Sequence, residues 1–196
     1  MPREDWAELP GRLVVVSGPS GSGKSTLLRR VLERPEVEAR FSISATTRPP
    51  RVGEEHGREY FFMSRGAFEE ARARGEFLES AEVHGNLYGT PAAPVRAALA
   101  AGRCVVLEID VQGALQVRQQ VPNALLIFIN VPSVAELEGR LRARATESEA
   151  TILRRLDNAR WELEQRSRYD RQVMNRDIDQ AVEDLVALFV EHGCGG

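Results

Sequence analysis

The 196-residue sequence predicts an α/β fold, in which a parallel sheet is flanked by helices and interrupted by an inserted mixed α/β lobe and a helical lid. Three observations carry this reading. Short apolar runs, Leu13-Val14-Val15-Val16 first among them, have the unbroken character of strands buried on both faces. Between them, apolar residues recur at helical spacing, which is the alternation a parallel sheet requires. The alternation breaks over residues 42–96 and 138–167, so these stretches are expected as insertions. The expected division is a flexible leader at 1–10, a core at 11–41, 97–137 and 168–196, a ligand-binding lobe at 42–96 and a lid at 138–167.

Taken in order, the leader is acidic and polar, with Trp6 and Leu9 as anchors on the domain surface. The strand at 13–16 runs into Gly18-Pro19-Ser20-Gly21-Ser22-Gly23-Lys24-Ser25-Thr26, and Leu27, Leu28, Val31 and Leu32 then mark a helix. This is a phosphate-binding loop in its full context of strand, glycine loop and helix, so the core is of P-loop NTPase type. Glycines let successive N–H groups turn toward one anion, and the following helix adds its positive end. Lys24 can reach the β- and γ-phosphates of a nucleotide, and the hydroxyl of Ser25 or Thr26 can ligate magnesium. Lys24 is the one lysine in the chain, all other basic side chains being arginine.

Pro35 ends the first helix, and residues 41–44 alternate like a half-buried strand. Arg48 and Arg51 follow on a proline-stiffened loop, three apart, where they can converge on one ligand. Residues 64–75 read as a helix with Phe68 and Ala71 inward, and 76–83 as a strand carrying Glu79. Residues 85–90 read as a turn, and Pro91 suits the start of the helix that runs to Ala101. The run from Cys104 to Asp110 is an apolar strand ending in acids, and open α/β sheets place their ligands at such ends. Asp110 is positioned to share a magnesium ion with Ser25. Asp110-Val111-Gln112-Gly113 also fits the D-x-x-G of GTPases, but the guanine motif N-K-x-D is impossible in a chain whose lysine is Lys24. Residues 124–131 form another buried strand, and Ser133 with Glu136 opens a helix as a capping box. Arg140, Arg142, Arg144, Arg154, Arg155 and Arg160 then fall in a charged segment suited to a mobile helical flap. A short strand at 171–175 and an amphipathic helix at 179–190 complete the core.

Charge and composition exclude other classes. A net charge of -3 and a pI near 5.8 argue against a nucleic-acid-binding surface, so the anionic partner is expected to be small. No apolar run approaches the ~18 residues of a membrane span, and the N-terminal segment lacks a signal peptide's charge and apolar core. Cys104 and Cys194 have neither metal spacing nor the density of a disulfide framework, and are expected as free thiols in a reducing cytoplasm.

Four blocks in order behind the P-loop resemble guanylate kinases: Thr46-Thr47-Arg48-Pro49-Pro50-Arg51-x-Gly53-Glu54, Gly57-x-x-Tyr60-x-Phe62, Gly85-Asn86-x-Tyr88-Gly89 and Asp110-x-Gln112-Gly113. The resemblance runs from about Arg12 to Glu191. It implies a cytoplasmic kinase, monomeric or homodimeric, that moves the γ-phosphoryl group of ATP to GMP or dGMP with magnesium, the 42–96 lobe binding GMP. Carried over by motif, Ser44, Arg48, Arg51, Tyr60, Glu79, Tyr88, Thr90 and Asp110 bind GMP. Lys24, Arg48, Arg140, Arg144 and Arg155 serve the phosphates during transfer, and Asn175 lies near the adenine. The alternative is a guanylate-kinase-like scaffold that binds proteins without catalysis. The chemistry of guanine agrees independently, because its N1–H and N2 amino donors lie side by side and suit a carboxylate such as Glu79. Departures from the pattern are Ala143 and Ala145 in place of lid glycines, Glu108 for an Asp, Leu87 for an aromatic and Arg176 for an acid. Alanine favours helix, so the lid hinge is expected to be stiffer.

Overall fold

In the computed structural model, which describes residues 6–83, 85–143 and 149–196, the first apolar run is β1 (Arg12–Ser17) and the glycine loop after it leads into α1 (Lys24–Leu32). Gly23 caps α1 at φ 90°, a left-handed turn that glycine makes without a Cβ clash. β2 (Ala39–Phe41) and β3 (Ser44–Thr46) follow as two short strands in different sheets, where the sequence pattern reads one strand over 41–44. The lobe continues with β4 (Tyr60–Phe62), α2 (Arg65–Ala73), β5 (Phe77–Val83) and β6 (Asn86–Pro91). Ser64 caps α2 by accepting from the Ala67 amide. Residues expected as a turn at 85–90 are thus mostly strand. Their backbone is paired with β5 on one side and β3 on the other while Leu87, Gly89 and Thr90 are buried, and this outweighs the local turn preference of Asn86 and Gly89.

The core resumes with α3 (Ala92–Ala100), β7 (Cys104–Glu108), α4 (Val111–Gln120) and β8 (Leu125–Asn130). Next come α5 (Val134–Ala143) and α6 (Glu149–Glu164), then β9 (Arg171–Met174) and α7 (Ile178–Glu191). Among the described residues the main sheet has five parallel strands in the order β2-β7-β1-β8-β9. A second, mixed sheet of four has the order β4-β3-β6-β5.

The apolar runs are continuous because β1 is covered on both faces. Val14 and Val16 pack with α1 and α7 through Leu28, Leu185 and Phe189. Leu13 and Val15 pack on the other side with α3 and α4 through Leu99, Ala114 and Val117, where Trp6 is also buried. The lobe closes a separate small core around Phe68, Phe77 and Leu87, the first two rings stacked 4.4 Å apart. α5 and α6 share another through Leu137, Leu156 and Ala159. Each insertion therefore carries its own apolar cluster.

One expectation from composition is corrected. Cys104 and Cys194 are joined in a disulfide, their Cα atoms 5.4 Å apart and their positions 90 residues apart in sequence. Cys104 opens β7 beside β2, and the tail after α7 returns to that edge, where the Glu38 amide donates to the Cys194 carbonyl at 2.8 Å. Spacing along the chain carries no trace of this approach. Among the described residues no helix is long and apolar enough to cross a membrane.

Candidate active site

The C-terminal ends of the adjacent parallel strands β1 and β7 open onto a cleft of about 850 Å³. Gly18, Ser20 and Lys24 of the glycine loop form one wall, with Glu108, Ile109 and Asp110 at its foot. Ser44, Tyr60, Glu79 and Tyr88 of the second sheet face them. Arg155, Trp161 and Glu162 of α6 enter from the third side. Three parts of the chain that sequence order keeps apart thus share one cavity.

The loop is held tightly. A Cβ on Gly18 would lie 2.5 Å from the Ile129 carbonyl oxygen, so glycine is what lets the loop cross β8. Lys24 Nζ donates to the carbonyls of Gly18 at 2.6 Å and Pro19 at 3.0 Å. Burial pushes its ammonium below the ordinary lysine range, while Glu162, Glu108 and Asp110 act against that. Asn175, expected near adenine, is buried and its Nδ2 donates to the Ser22 carbonyl at 2.7 Å, bracing the loop from the end of β9. Ser25 Oγ donates to Glu108 Oε1 at 2.5 Å. Asp110, paired with Ser25 in the sequence reading, instead caps α4 by accepting from the Gly113 amide at 2.7 Å.

Across the cleft, Glu79 is 5 % exposed and accepts from Thr90 Oγ1 at 2.7 Å, the two residues being register partners in β5 and β6. Burial pushes the Glu79 carboxyl up to about 7, with the Thr90 hydrogen bonds opposing and Asp110 reinforcing. Two glutamines one turn apart on α4 fix β5 to the core. Gln116 both accepts from the Ser80 amide and donates to the Ser80 carbonyl at 3.1 Å, and Gln120 donates to the Leu78 carbonyl at 2.7 Å. They bracket Glu79 along the strand. Gly113 of the same helix makes room for it, since a Cβ there would stand 2.7 Å from Glu79 Oε2.

The arginine loop is organised by Glu54. Its carboxylate accepts from Arg48 Nη2 at 2.9 Å and from the Arg51 backbone amide at 2.7 Å. The Arg48 guanidinium lies 5.4 Å from the Tyr60 ring centroid and 5.9 Å from that of Phe62, within cation–π range of both rings. Burial raises the Tyr60 phenol above its ordinary pKa, and the Tyr88 ring stands edge-on to it at 6.1 Å. Arg51 is exposed. In the segment expected as a lid, Arg155 lines the cleft, Arg140 falls within α5, and Arg144 and Ala145 lie outside the described residues.

Glu54 stood in the first motif block without a role, and Gln116, Gln120, Trp161 and Glu162 were absent from the residues singled out by pattern. Gln116 and Gln120 had a readable signal, a polar i,i+4 pair on an apolar helix. Glu162 had none, because its segment reads as basic.

A parallel sheet with this glycine loop at its opening, and a second sheet presenting a buried carboxylate across the same cleft, define a nucleotide-binding α/β protein whose cleft has two facing walls. The family model described as guanylate kinase matches residues 10–192. A guanylate kinase of Nostoc sp. is 50 % identical over 182 residues, 92 % of this chain and 91 % of its own length. One from Nocardia farcinica is 52 % identical over 183 residues, 92 % and 94 % of the two chains. The crystal structure of guanylate kinase from Anaplasma phagocytophilum superposes with a TM-score of 0.74 at 31 % identity, covering 93 % of this chain and 86 % of that one. The chain belongs to the guanylate kinase family.

Proposed function

We infer that this protein is an enzyme, an ATP:GMP phosphotransferase, in which the glycine loop holds the donor and the lobe holds the acceptor. The observation that carries the reading is the cleft itself, which Lys24 of the glycine loop, Glu79 of the second sheet and Arg155 of α6 line together. Loop amides and Lys24 bind the ATP phosphates, and Ser44, Glu79, Thr90, Tyr88 and Asp110 surround the guanosine. Arg48, Arg51 and Tyr60 take the GMP phosphate, for which forked guanidinium donors and a phenol are suited. A GMP phosphate oxygen attacks the γ-phosphorus, the bond from that phosphorus to the β–γ bridging oxygen breaks, and ADP leaves. The attacking oxygen is already anionic, so no proton must be removed. Alignment and charge neutralisation by Lys24, Arg48, Arg155 and the lid arginines Arg140 and Arg144 supply the catalysis.

Magnesium fits the donor set, since it needs one or two protein oxygens beside the phosphates. Ser25 and Glu108, already hydrogen-bonded to each other, would hold it with Asp110 nearby, and when bound it neutralises charge on the β- and γ-oxygens. The lobe at 42–96 and the lid at 138–167 would close over the core at 11–41, 97–137 and 168–196. A cytoplasmic location is inferred from the substrates alone, ATP and GMP.

The test is ADP release with GMP, dGMP, AMP, CMP, UMP and dTMP offered separately, beside Lys24→Ala. Turnover confined to the guanine nucleotides, and lost in the variant, is expected. Turnover with none would favour the scaffold alternative.

A further inference from the structure

We propose that Gln116, with Gln120 of the same helix, is a positioning residue for Glu79: the two core side chains aim the carboxylate at the guanine base, and selectivity for that base depends on them. The proposal rests on the reading of Glu79 as the residue that meets guanine. Among the described residues β5 is an edge strand of the second sheet, so the backbone groups on its outer side have no strand partner. Two primary amides of α4 take that place. Gln116 accepts from the Ser80 amide and donates to the Ser80 carbonyl, each at 3.1 Å. Gln120 donates to the Leu78 carbonyl at 2.7 Å. The Ser80 N–H belongs to the peptide that follows Glu79, and the Leu78 carbonyl to the peptide that precedes it. Both planar units that meet at the Glu79 Cα are therefore tied to the core, and this fixes the direction in which that Cα carries its side chain.

The same face of α4 carries the rest of the setting. Gly113, Gln116 and Gln120 follow one another at the helical spacing i, i+3 and i+7. Gly113 leaves the space that Glu79 Oε2 fills, while Thr90 of β6 donates to Oε1 at 2.7 Å. Asp110 caps the start of this helix and lines the same cleft as Glu79. One helix thus sets Asp110 directly and Glu79 through two amides. The Gln116 amide also specifies a single setting of the strand, because turning it over would put donor against donor and acceptor against acceptor. Guanine offers its N1–H and N2 amino donors side by side, and a carboxylate takes both only when its direction matches theirs. Adenine has no such pair, so its binding gains nothing from the alignment. Loss of Gln116 leaves the charge of Glu79 but releases the strand that aims it.

The experiment is steady-state kinetics of the whole protein with ATP and either GMP or AMP, for the wild type, Gln116→Leu and Gln120→Leu, each with Glu79 intact and with Glu79→Gln. Gln116→Leu is expected to raise the KM for GMP about tenfold, the equivalent of two neutral hydrogen bonds, and Gln120→Leu about threefold. The kcat at saturating GMP, the KM for ATP and kcat/KM for AMP stay within about twofold, so the preference for GMP falls in proportion. With Glu79→Gln in place, either substitution changes kcat/KM for GMP by less than about twofold, because the carboxylate it positions is gone. A merely structural role would give equal losses in both backgrounds and for both substrates. That result, or a GMP KM unchanged in both glutamine variants, overturns the proposal. Gln120 is exposed, so its variant carries the test if Gln116→Leu does not fold. Glu79→Gln with the wild-type KM for GMP would instead overturn the reading of the guanine site itself.

Discussion

Replacing Gly113 by alanine separates guanine recognition from folding. Gly113 sits in the first turn of α4, and its amide donates to Asp110, a bond alanine keeps. The new Cβ would lie 2.7 Å from Glu79 Oε2, 3.2 Å from Cδ and 3.3 Å from Cγ, so the carboxylate must move. Glu79 is buried and tied to Thr90, so it moves either at the expense of that bond or into the cleft that the guanine is to occupy. Hydrogen bonds to a charged group contribute about 1.5–3 kcal/mol each, so losing alignment of one of them raises the KM for GMP about 10- to 150-fold. Alanine is about 1 kcal/mol better than glycine in a helix, which offsets part of the loss of the Thr90 contact. The melting temperature therefore stays within a few degrees, and the KM for ATP is unchanged. Gly66→Ala is the control, because α2 leaves open space around that position. Steady-state kinetics with each substrate varied, beside thermal melts, make the measurement. A GMP KM equal to that of the wild type, or equal losses for both substrates with a collapsed melting temperature, would refute the reasoning.

The Glu79 carboxyl, pushed up to about 7, predicts a pH dependence with a definite sign. Guanine donors bind its ionised form, so the KM for GMP falls as pH rises from 6 to 8, and Glu79→Gln removes that part of the trend while keeping the part due to the phosphate of GMP. For stability the sign is opposite: a carboxyl raised above its unfolded value stabilises at low pH and loses that contribution as pH rises through about 7, so Glu79→Gln gains on the wild type in melts at pH 8 relative to pH 6. The Cys104–Cys194 disulfide closes a loop spanning 90 residues of sequence, for which chain entropy gives about 4.5 kcal/mol. Cys194→Ser or a reductant is expected to lower the melting temperature by about 10 °C or more. Activity at 25 °C is expected to persist, because Cys104 opens β7 at the end of the strand opposite the cleft. Two thiols titrating in the denatured, unreduced protein would contradict the bond.

The glycine loop, the buried strands beside it and the four ordered motif blocks were legible without coordinates. Each is a local pattern: a turn that needs glycine, an apolar run, a helix period, a pair of arginines beside prolines. Phosphate binding follows from such a pattern alone, because the loop's own backbone supplies the donors. Glu79 is expected as a partner for guanine from its chemistry, yet its burial, its Thr90 bond and the space under Gly113 were not legible. β6 reads as a turn because Asn86 and Gly89 speak for a turn locally, while β3, which pairs with it on the side away from β5, is distant in sequence. Glu108 reads as the end of a strand, and only its approach to Ser25, 83 positions away, shows what it holds. Glu162 and Lys24, which line one cleft, and Cys104 and Cys194, which are bonded, lie more than eighty residues apart and come together because the sheet gathers the ends of its connections. By itself the sequence determined which chemistry is present, since propensity and spacing act over a few residues. Tertiary structure alone decided which charged and polar groups face one another across the cleft, since that depends on strand order and helix packing, which no short-range period records.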